Sequence, residues 1–438
     1  MKKHLLILLF SCTVTFSYCQ IWDSIGQWNS DVQAFIAYNN SLFIGGNFTN
    51  VNSAYTNCSF TATWDGTTLT PNYDPNVGGL GFVDFAIYDN NLYGAGTSSS
   101  GDGGNGALEW DGTTWYNAAL FINTNVNALA SFGGRLWVGG EFTSAGSSTS
   151  PYIAMYNDTT YAYTNAGSGF DSYVQCLQVY KNELYAAGGF TKSDTATTLS
   201  IAKWNGVRWV GVGGGITGGI SAMAVYKNEL YVVGSITAAG ATAVNNIAKW
   251  NGTTWSAVGA GLTPGYNGIN TVTADSTYLY VGGDITAAGS DTSVNNVAKW
   301  DGSSWSSVGA GLPNEIVYSL YSWNGTLYAG LLYEYQVSNA NRLRSIAISS
   351  LTTVTGATSP SVSSAITIYP NPATDQVTIN TGAVPLANFS YTLTDLSGRV
   401  LKTGSAQSSI DVSALTEGIY LLQLQNGGQA TVQKLVIE

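Results

Sequence analysis

The sequence predicts an all-β fold, with a seven-bladed β-propeller closed by its N-terminal strand and a small β-sandwich after it. A group of four strand-like runs recurs seven times, which is typical of a radial or stacked array. The composition agrees, because 52 of the 438 residues are Gly and only 9% are charged, which favours many turns and few helices. The last part of the chain keeps alternating apolar residues but loses the repeat, which predicts a second domain.

The repeat is clearest in two lines of sequence, NNIAKWNGTTWSAVGAGL from Asn245 and NNVAKWDGSSWSSVGAGL from Asn295. Each unit begins with an apolar run, continues with a strand such as LYVGG, and ends with two strands around a turn such as KWDGSSW. Four strands in each of seven evenly spaced units predict a closed propeller, because an open row would expose its terminal faces and edges. An aromatic residue in the second strand marks each unit: Phe43, Tyr93, Trp137, Tyr185, Tyr231, Tyr280 and Tyr328.

Two local patterns refine this prediction. Double glycines such as Gly45-Gly46 end several second strands, where we expect backbones to lie too close together for a Cβ. Near the N-terminus, WDSIG from Trp22 matches WSAVG from Trp255 and WSSVG from Trp305, while the seventh unit has a weak fourth strand. We therefore expect residues 22–28 to complete the last blade.

The order of apolar strand, LYVGG, variable loop and paired aromatics resembles the kelch repeat and its glycine-rich bacterial relatives over residues 20–355. The second, fifth and seventh units depart from the pattern, with GAG, VG and AG in place of the double glycine. Kelch-type propellers include copper-radical oxidases with histidine ligands. The single His of this chain is His4, so the resemblance implies the fold and not that activity.

The N-terminus predicts a signal peptide over residues 1–19, because Lys2 and Lys3 precede a short apolar run and small residues follow. Cleavage after Cys19 is favoured, and a lipid anchor at Cys12 or Cys19 is the alternative. No later run is long and apolar enough to span a bilayer. The two remaining cysteines, Cys58 and Cys176, fall in different units and are expected to be buried and unpaired.

Residues 356–365 form a linker of small residues, and residues 366–438 carry a second set of motifs. The motifs are YPNP (Tyr369, Pro370, Asn371, Pro372), DLSGRVL around Gly398, GIYLLQL from Gly418 and KLVI from Lys434. Together they closely resemble the type A C-terminal sorting domain of the type IX secretion system. The resemblance implies that the secretion machinery is a partner, with export through the periplasm and outer membrane, removal of the tail, and release or surface attachment. An ordinary adhesive β-sandwich is the alternative.

Charge and histidine content exclude several functions. A net charge of −11 disfavours nucleic acid and anionic membranes as partners. Without His4, the mature chain has no imidazole for a Ser-His-Asp triad or a histidine-ligated metal, and we predict no metal and no cofactor. Carboxylate catalysis needs only two acids at a suitable separation. Candidate acids, none of them paired by the sequence, are Asp84, Glu141, Asp171, Asp284 and Glu315.

The second position of the first strand is polar in six of the seven units, where the rest of the strand is mostly apolar. If these strands line the axis, we expect the polar groups to surround one mouth of a channel. The residues are Gln33, Asn127, Gln175, Ser221, Asn270 and Tyr318, with Val83 in the second unit.

Amide and aromatic groups suit a glycan, so we expect a secreted or surface-attached binding or scaffold propeller with a glycan or protein ligand. A channel that is merely filled with water is the simpler interpretation. A histidine-independent enzyme that uses a carboxylate pair on extracellular polysaccharide is the alternative function. A purely structural component of the cell surface is a third.

Overall fold

The computed structural model describes residues 19–26, 28–51, 58–73, 80–98, 107–117, 122–146, 151–157, 160–332, 346–352, 367–380, 390–395, 400–405, 409–416, 418–426 and 429–437. These residues form strands, turns and bends, and no helix occurs among them. The chain divides into two compact units, of which one is Cys19–Thr352 and the other includes Thr353–Glu438. The predicted signal peptide up to residue 18 and the predicted linker lie outside the described residues.

The first unit contains seven antiparallel sheets, numbered here in chain order, each with four strands joined edge to edge. Sheet 1 contains β2 (Val32–Tyr38), β3 (Ser41–Gly46), β4 (Thr61–Trp64) and β5 (Leu69–Asn72), and sheet 2 contains β6 (Leu80–Tyr88), β7 (Asn91–Ser98), β8 (Ala107–Trp110) and β9 (Trp115–Asn117). Sheet 3 contains β10 (Val126–Phe132), β11 (Arg135–Gly140), β12 (Ile153–Asn157) and β13 (Ala162–Asn165). Sheet 4 contains β14 (Val174–Tyr180), β15 (Glu183–Gly188), β18 (Ile201–Trp204) and β19 (Trp209–Gly211). A small hairpin of β16 (Lys192–Ser193) and β17 (Ala196–Thr197) is inserted in sheet 4.

Sheets 5 and 6 have longer first hairpins than the others. Sheet 5 contains β20 (Ile216–Tyr226), β21 (Glu229–Ala239), β23 (Ile247–Trp250) and β24 (Trp255–Ala257), with β22 (Thr242–Ala243) beside β21. Sheet 6 contains β25 (Leu262–Ala274), β26 (Leu279–Ala288), β27 (Val297–Trp300) and β28 (Trp305–Ser307). Sheet 7 contains β29 (Val317–Trp323), β30 (Thr326–Leu331), β31 (Ile346–Thr352) and β1 (Cys19–Ser24).

Turn chemistry fixes both hairpins of a sheet. In six sheets the first hairpin has a two-residue turn with positive φ at both positions, as at Asn39 (48°) and Asn40 (59°), which is the type I′ geometry that fits the twist of the strands. In sheets 1, 2, 4, 5 and 6 the outer hairpin has a four-residue turn, in which an Asp or Asn side chain accepts backbone N–H bonds. Asp111 Oδ1, for example, accepts from Thr113 at 2.7 Å and from Thr114 at 2.8 Å. The positive φ of this turn lies at the Gly after the acid, as at Gly112 (103°).

The double glycines lie where the backbones crowd, as predicted. A Cβ on Gly45 would lie 2.6 Å from the ring of Phe85 in sheet 2, and one on Gly46 would lie 2.0 Å from the carbonyl oxygen of Asp31. The first Gly therefore permits close packing of neighbouring sheets, and the second permits close pairing within its own sheet.

Apolar side chains pack between consecutive sheets and not within a single central core. Seven buried clusters occur in the described part of this unit, one for each pair of consecutive sheets, and the cluster around Val32, Phe35 and Tyr328 joins sheet 7 to sheet 1. The first strand of each sheet also contacts the first strand of the next, and β29 contacts β2. A single sheet has two apolar faces, so it depends on its neighbours to bury them.

Tyrosine hydroxyls link the sheets at the far end of four first strands. Tyr38, Tyr88, Tyr180 and Tyr226 each donate to a turn carbonyl of the next sheet, for example Tyr180 to Asn228 at 2.9 Å. The equivalent residue of sheet 3 is Phe132, which has no hydroxyl to donate. These bonds hold the sheets in register with one another.

The N-terminal strand β1 pairs antiparallel with β31, from Cys19 opposite Thr352 to Ser24 opposite Ala347. The indole N–H of Trp22 donates to the carbonyl of Val308 at 3.1 Å. Trp305 and Trp255, at the matching position of fourth strands, make the same kind of bond to the preceding sheet. Because β1 spans Cys19–Ser24, it begins and ends earlier than the predicted residues 22–28.

Trp28 has a different role from the one we predicted. It forms a bridge with Val51 and packs edge-on against Phe48, 4.5 Å between ring centroids, so it belongs with sheet 1. The aromatic partner available in sheet 1 explains why the N-terminal segment leaves sheet 7 before Trp28.

The second unit contains two described sheets that share one buried cluster, which includes Val377, Leu422 and Leu435. The three-stranded sheet contains β32 (Thr367–Tyr369), β33 (Gln376–Asn380) and β36 (Ser409–Asp411). The four-stranded sheet contains β34 (Ser390–Asp395), β35 (Val400–Ser405), β37 (Gly418–Asn426) and β38 (Gln429–Ile437).

Candidate functional site

A cavity of about 710 Å³ lies among the first strands of the first unit. Each of the seven sheets contributes a short run of its first strand to the wall, such as residues 33–36 in sheet 1. Among the described residues, no Lys or Arg lines this central cavity, whereas two carboxylates do, Asp84 and Glu141. The wall is otherwise neutral, so the cavity disfavours an anionic ligand.

A β-bulge explains how polar side chains reach the cavity. Each first strand contains a shift of the pairing register that leaves one residue unpaired, as Gln33 is between Val32 and Ala34 in sheet 1. A bulge changes the direction of the side chain at that point. The seven bulge residues all line the cavity, and they are Gln33, Val83, Asn127, Gln175, Ser221, Asn270 and Tyr318.

Part of this polar ring is used to join sheets. The side-chain amide of Asn127 donates to the carbonyl of Val174 at 3.1 Å, and that of Asn270 donates to Val317 at 3.0 Å. Ser319 Oγ, one position further along, donates to Val32 at 3.1 Å and so links sheet 7 to sheet 1. These three groups contribute to the junctions between sheets as well as to the cavity wall.

Gln33 differs from the two asparagines. Its Oε1 atom is buried and has no hydrogen-bond partner in the structure. A buried acceptor without a donor costs about 1–3 kcal/mol, so a donor supplied by a ligand or a water molecule stabilises it.

Asp84 also lines the cavity, although the sequence indicated it only as a candidate acid and not as a neighbour of the seven bulge residues. It directly follows the bulge residue Val83, and the residues that follow the bulge in sheets 1, 3 and 5 are Ala34, Ala128 and Ala222. Its Oδ1 accepts from the N–H of Phe85 at 2.9 Å, and its Oδ2 accepts from the N–H of Leu129 in sheet 3 at 2.8 Å. Burial raises the pKa of this carboxyl to about 7, and the two hydrogen bonds oppose that shift only in part.

The other candidate acids do not join Asp84, with the exception of Glu141. Glu141 lines the cavity, and its Oε2 accepts from Asn125 Nδ2 at 3.1 Å. Asp171 accepts the backbone N–H of Thr191, and Asp284 accepts that of Asn267, so both stabilise loops. Neither of these, nor Glu315, lines the cavity. Within the described residues, no group of three or more His, Cys, Asp and Glu is placed to hold a metal ion.

Cys58 and Cys176 are unpaired. Cys58 is buried, and burial raises its pKa to about 12. Cys176 lines the cavity and is partly buried; its pKa is also raised, first by burial and second by the charge of Asp84. Neither thiol has the lowered pKa that reactive cysteines show.

In the second unit, the motifs at the two ends meet. Asn371 Oδ1 accepts the backbone N–H of Val436 at 2.8 Å, and the N–H of Ala373 donates to the Val436 carbonyl at 2.9 Å. Tyr369 is exposed and begins this segment, with Pro370 and Pro372 on either side of Asn371. Lys434 pairs with Leu421 and Gly418 pairs with Ile437, so both lie on the last two strands. Gly398 lies outside the described residues.

Residues 367–438 match the family described as the secretion system C-terminal sorting domain. This part of the chain is a sorting domain. It directs export through the type IX secretion system to the cell surface or the extracellular space. The prediction of localisation from the tail motifs is therefore confirmed.

Residues 110–273 match the Rax2 C-terminal beta propeller domain, so the exported unit contains a propeller domain. That match does not specifically identify kelch repeats. No curated protein matches the chain. Within the described residues, no helix has the length and hydrophobicity needed to cross a membrane.

Solved structures that resemble the chain have low sequence identity. The computationally designed Ika8 protein has 14% identity and a TM-score of 0.41, with 94% of this chain and 98% of that chain covered. The extracellular domain of the putative hybrid two component system BT4673 from B. thetaiotaomicron has 13% identity and a TM-score of 0.34, with 94% of this chain and 70% of that chain covered.

Proposed function

We propose that this protein is an extracellular or surface-attached binding protein, in which a seven-bladed kelch-like propeller presents its central cavity to a glycan ligand. The sorting domain delivers the propeller and is then removed. The signal peptide at residues 1–19 starts this route. The observation that carries the binding function is that a bulge residue from each of the seven first strands lines one cavity.

Closure of the propeller makes this cavity a single site. Support comes from the pairing of β1 with β31, from the Trp22 bond to Val308, and from the buried cluster between sheets 7 and 1. We infer that the seven sheets are seven blades and that β1 is the fourth strand of the last one. A closed ring gives the wall fixed geometry, which reduces the ordering cost of binding.

A glycan is the ligand class that the mouth favours over a protein. Three exposed tyrosines lie at the end where the first strands begin: Tyr173 (40% exposed), which directly precedes β14; Tyr266 (100%), in the early part of β25; and Tyr318 (38%), the bulge residue of β29. Aromatic faces pack against sugar rings, while amides such as that of Gln175 bond to hydroxyls.

A glycan array with the mature propeller tests the proposal. We expect Gln175→Ala to weaken binding about fivefold to tenfold, because one hydrogen bond contributes about 1–1.5 kcal/mol. Asn251→Asp is the matched control, because it lies in an exposed outer turn where sheet 2 already has Asp111. Glycan binding that is the same in Gln175→Ala and in the control contradicts the site.

The alternative function is hydrolysis of extracellular polysaccharide by a carboxylate pair. One observation favours it: Asp84 and Glu141 line the same cavity, and the raised pKa of Asp84 suits a general acid. Release of reducing sugar from a bound glycan, lost in both Asp84→Asn and Glu141→Gln, is the result that separates this function from binding alone.

A further inference from the structure

We propose that the central cavity recognises a sugar with a free amine, and that Asp84 is the carboxylate that receives the ammonium group. This inference rests on the proposed glycan-binding function and names the ligand class. It depends on the charge of the cavity wall, on the position of Asp84 and on the unsatisfied oxygen of Gln33.

The charge of the wall has one sign. Asp84 and Glu141 are its ionisable carboxylates, and no cation among the lining residues neutralises either of them. Lys and Arg elsewhere in the propeller are used outside the cavity, as in the pairs of Lys203 with Glu183 and Lys249 with Glu229. Asp84 is only partly exposed, so its ionised carboxylate is unfavourable without a neighbouring cation, and an ammonium ligand reduces that cost.

The local geometry leaves room for such a ligand. Three other sheets have only a methyl group at the position of Asp84, so the carboxylate projects from an otherwise small-residue ring. Each of its oxygens accepts one backbone N–H, and a carboxylate oxygen can accept a second bond. Cys176 occupies the equivalent position of sheet 4, lines the cavity and senses the charge of Asp84. Glu141 also lines the cavity.

Gln33 offers a second acceptor for such a ligand. Its buried Oε1 lines the same cavity and has no partner. A sugar amine next to hydroxyl groups offers several donors, so one ligand can satisfy both the carboxylate and this amide oxygen. A neutral or N-acetylated sugar supplies hydroxyl donors but no positive charge. We therefore expect the cavity to bind a sugar with a free amine more tightly than a neutral or N-acetylated sugar.

Two trisaccharides test this inference by titration calorimetry: the glucosamine trimer, with free amines, and the N-acetylglucosamine trimer. We expect the mature propeller to bind the free-amine trimer at least tenfold more tightly near pH 7, where ionised Asp84 and protonated sugar amine coexist, because a charge-assisted bond contributes about 1.5–3 kcal/mol. The preference should fall at pH 5.5, where Asp84, with its pKa of about 7, is protonated, and also at pH 9, where the sugar amine is neutral.

Variants assign the preference to Asp84. Asp84→Asn removes the charge, and Asp84→Ala introduces the residue found in sheets 1, 3 and 5; both should bind the two trimers equally. Asp111→Asn changes the net charge by the same amount in an exposed outer turn where sheet 5 has Asn251, and it should keep the wild-type preference. Thermal melting of each variant shows whether the fold is retained, and Asp84→Ala serves if Asp84→Asn does not fold.

The possible failures are distinct. Equal binding of both trimers by the wild type leaves glycan binding intact and overturns the amine preference. A preference that survives both Asp84 variants, or that is lost only in Glu141→Gln, overturns the assignment to Asp84. Binding of neither trimer, or binding of trilysine alone, contradicts both the inference and the proposed glycan function.

Discussion

Removal of residues 434–438 is expected to abolish appearance of the protein at the cell surface and in the medium. The deletion removes the end of β38, which pairs with β37, and the buried side chains of Leu435 and Ile437. It also removes the backbone of Val436 that holds Asn371 and Ala373. Loss of two buried aliphatic side chains costs about 2–5 kcal/mol each, which is enough to unfold a domain of this size.

Fractionation of the native host followed by immunoblotting measures this result. The truncated protein should accumulate inside the cell envelope, with the propeller still folded. Leu435→Ala should reproduce the defect in part, whereas Gln423→Ala, on an exposed position of β37, should be exported normally. Normal export of the truncated chain would show that the last strand is not part of the signal.

Removal of residues 20–24 is the second change with a large expected effect. Without β1, the whole edge of β31 loses its partner, and the seam between sheets 6 and 7 loses Trp22 and its bond to Val308. An unpaired edge in a ring also promotes pairing with other chains. We expect a loss of stability comparable with the roughly 5–15 kcal/mol of a whole domain, so the propeller should unfold or aggregate.

Thermal denaturation followed by circular dichroism measures the effect of this deletion. Trp22→Phe is the mild control, because it keeps the strand and removes only the indole N–H bond, at about 1 kcal/mol. A synthetic peptide of residues 20–26 should restore the cooperative transition of the truncated chain. A truncated propeller that melts at the wild-type temperature would show that β1 is dispensable.

The repeated strands could be predicted from the sequence because their signals are local. Alternation recurs in each unit, Asn-Gly or Asp-Gly turns and double glycines recur in most units, and the match between WDSIG and WSSVG indicated β1. The limits of β1 could not be predicted. The chain leaves sheet 7 so that Trp28 can pack on Phe48 and pair with Val51, and sequence spacing does not reveal these contacts.

The candidate site was only partly predictable. The ring of second-position residues follows from the period, since equivalent residues of a repeat occupy equivalent places. The bond from Asn127 to Val174 depends on the distance between two sheets, which sequence spacing does not give. Asp84 was one acid among several, and its importance arises only when Leu129 of the next sheet and Cys176 lie near it.

Disulfide formation between β1 and β31 tests most directly the claim that the N-terminal strand closes the ring. Asp23 lies opposite Ile348 in the pairing register, and Thr352 lies four residues away along the same strand. In a chain without its own cysteines, the pair Asp23→Cys with Ile348→Cys should form an intramolecular disulfide, detectable by mass spectrometry, and Asp23→Cys with Thr352→Cys should not. No disulfide in the first pair, or equal formation in both, would contradict the closed propeller on which the proposed binding site depends.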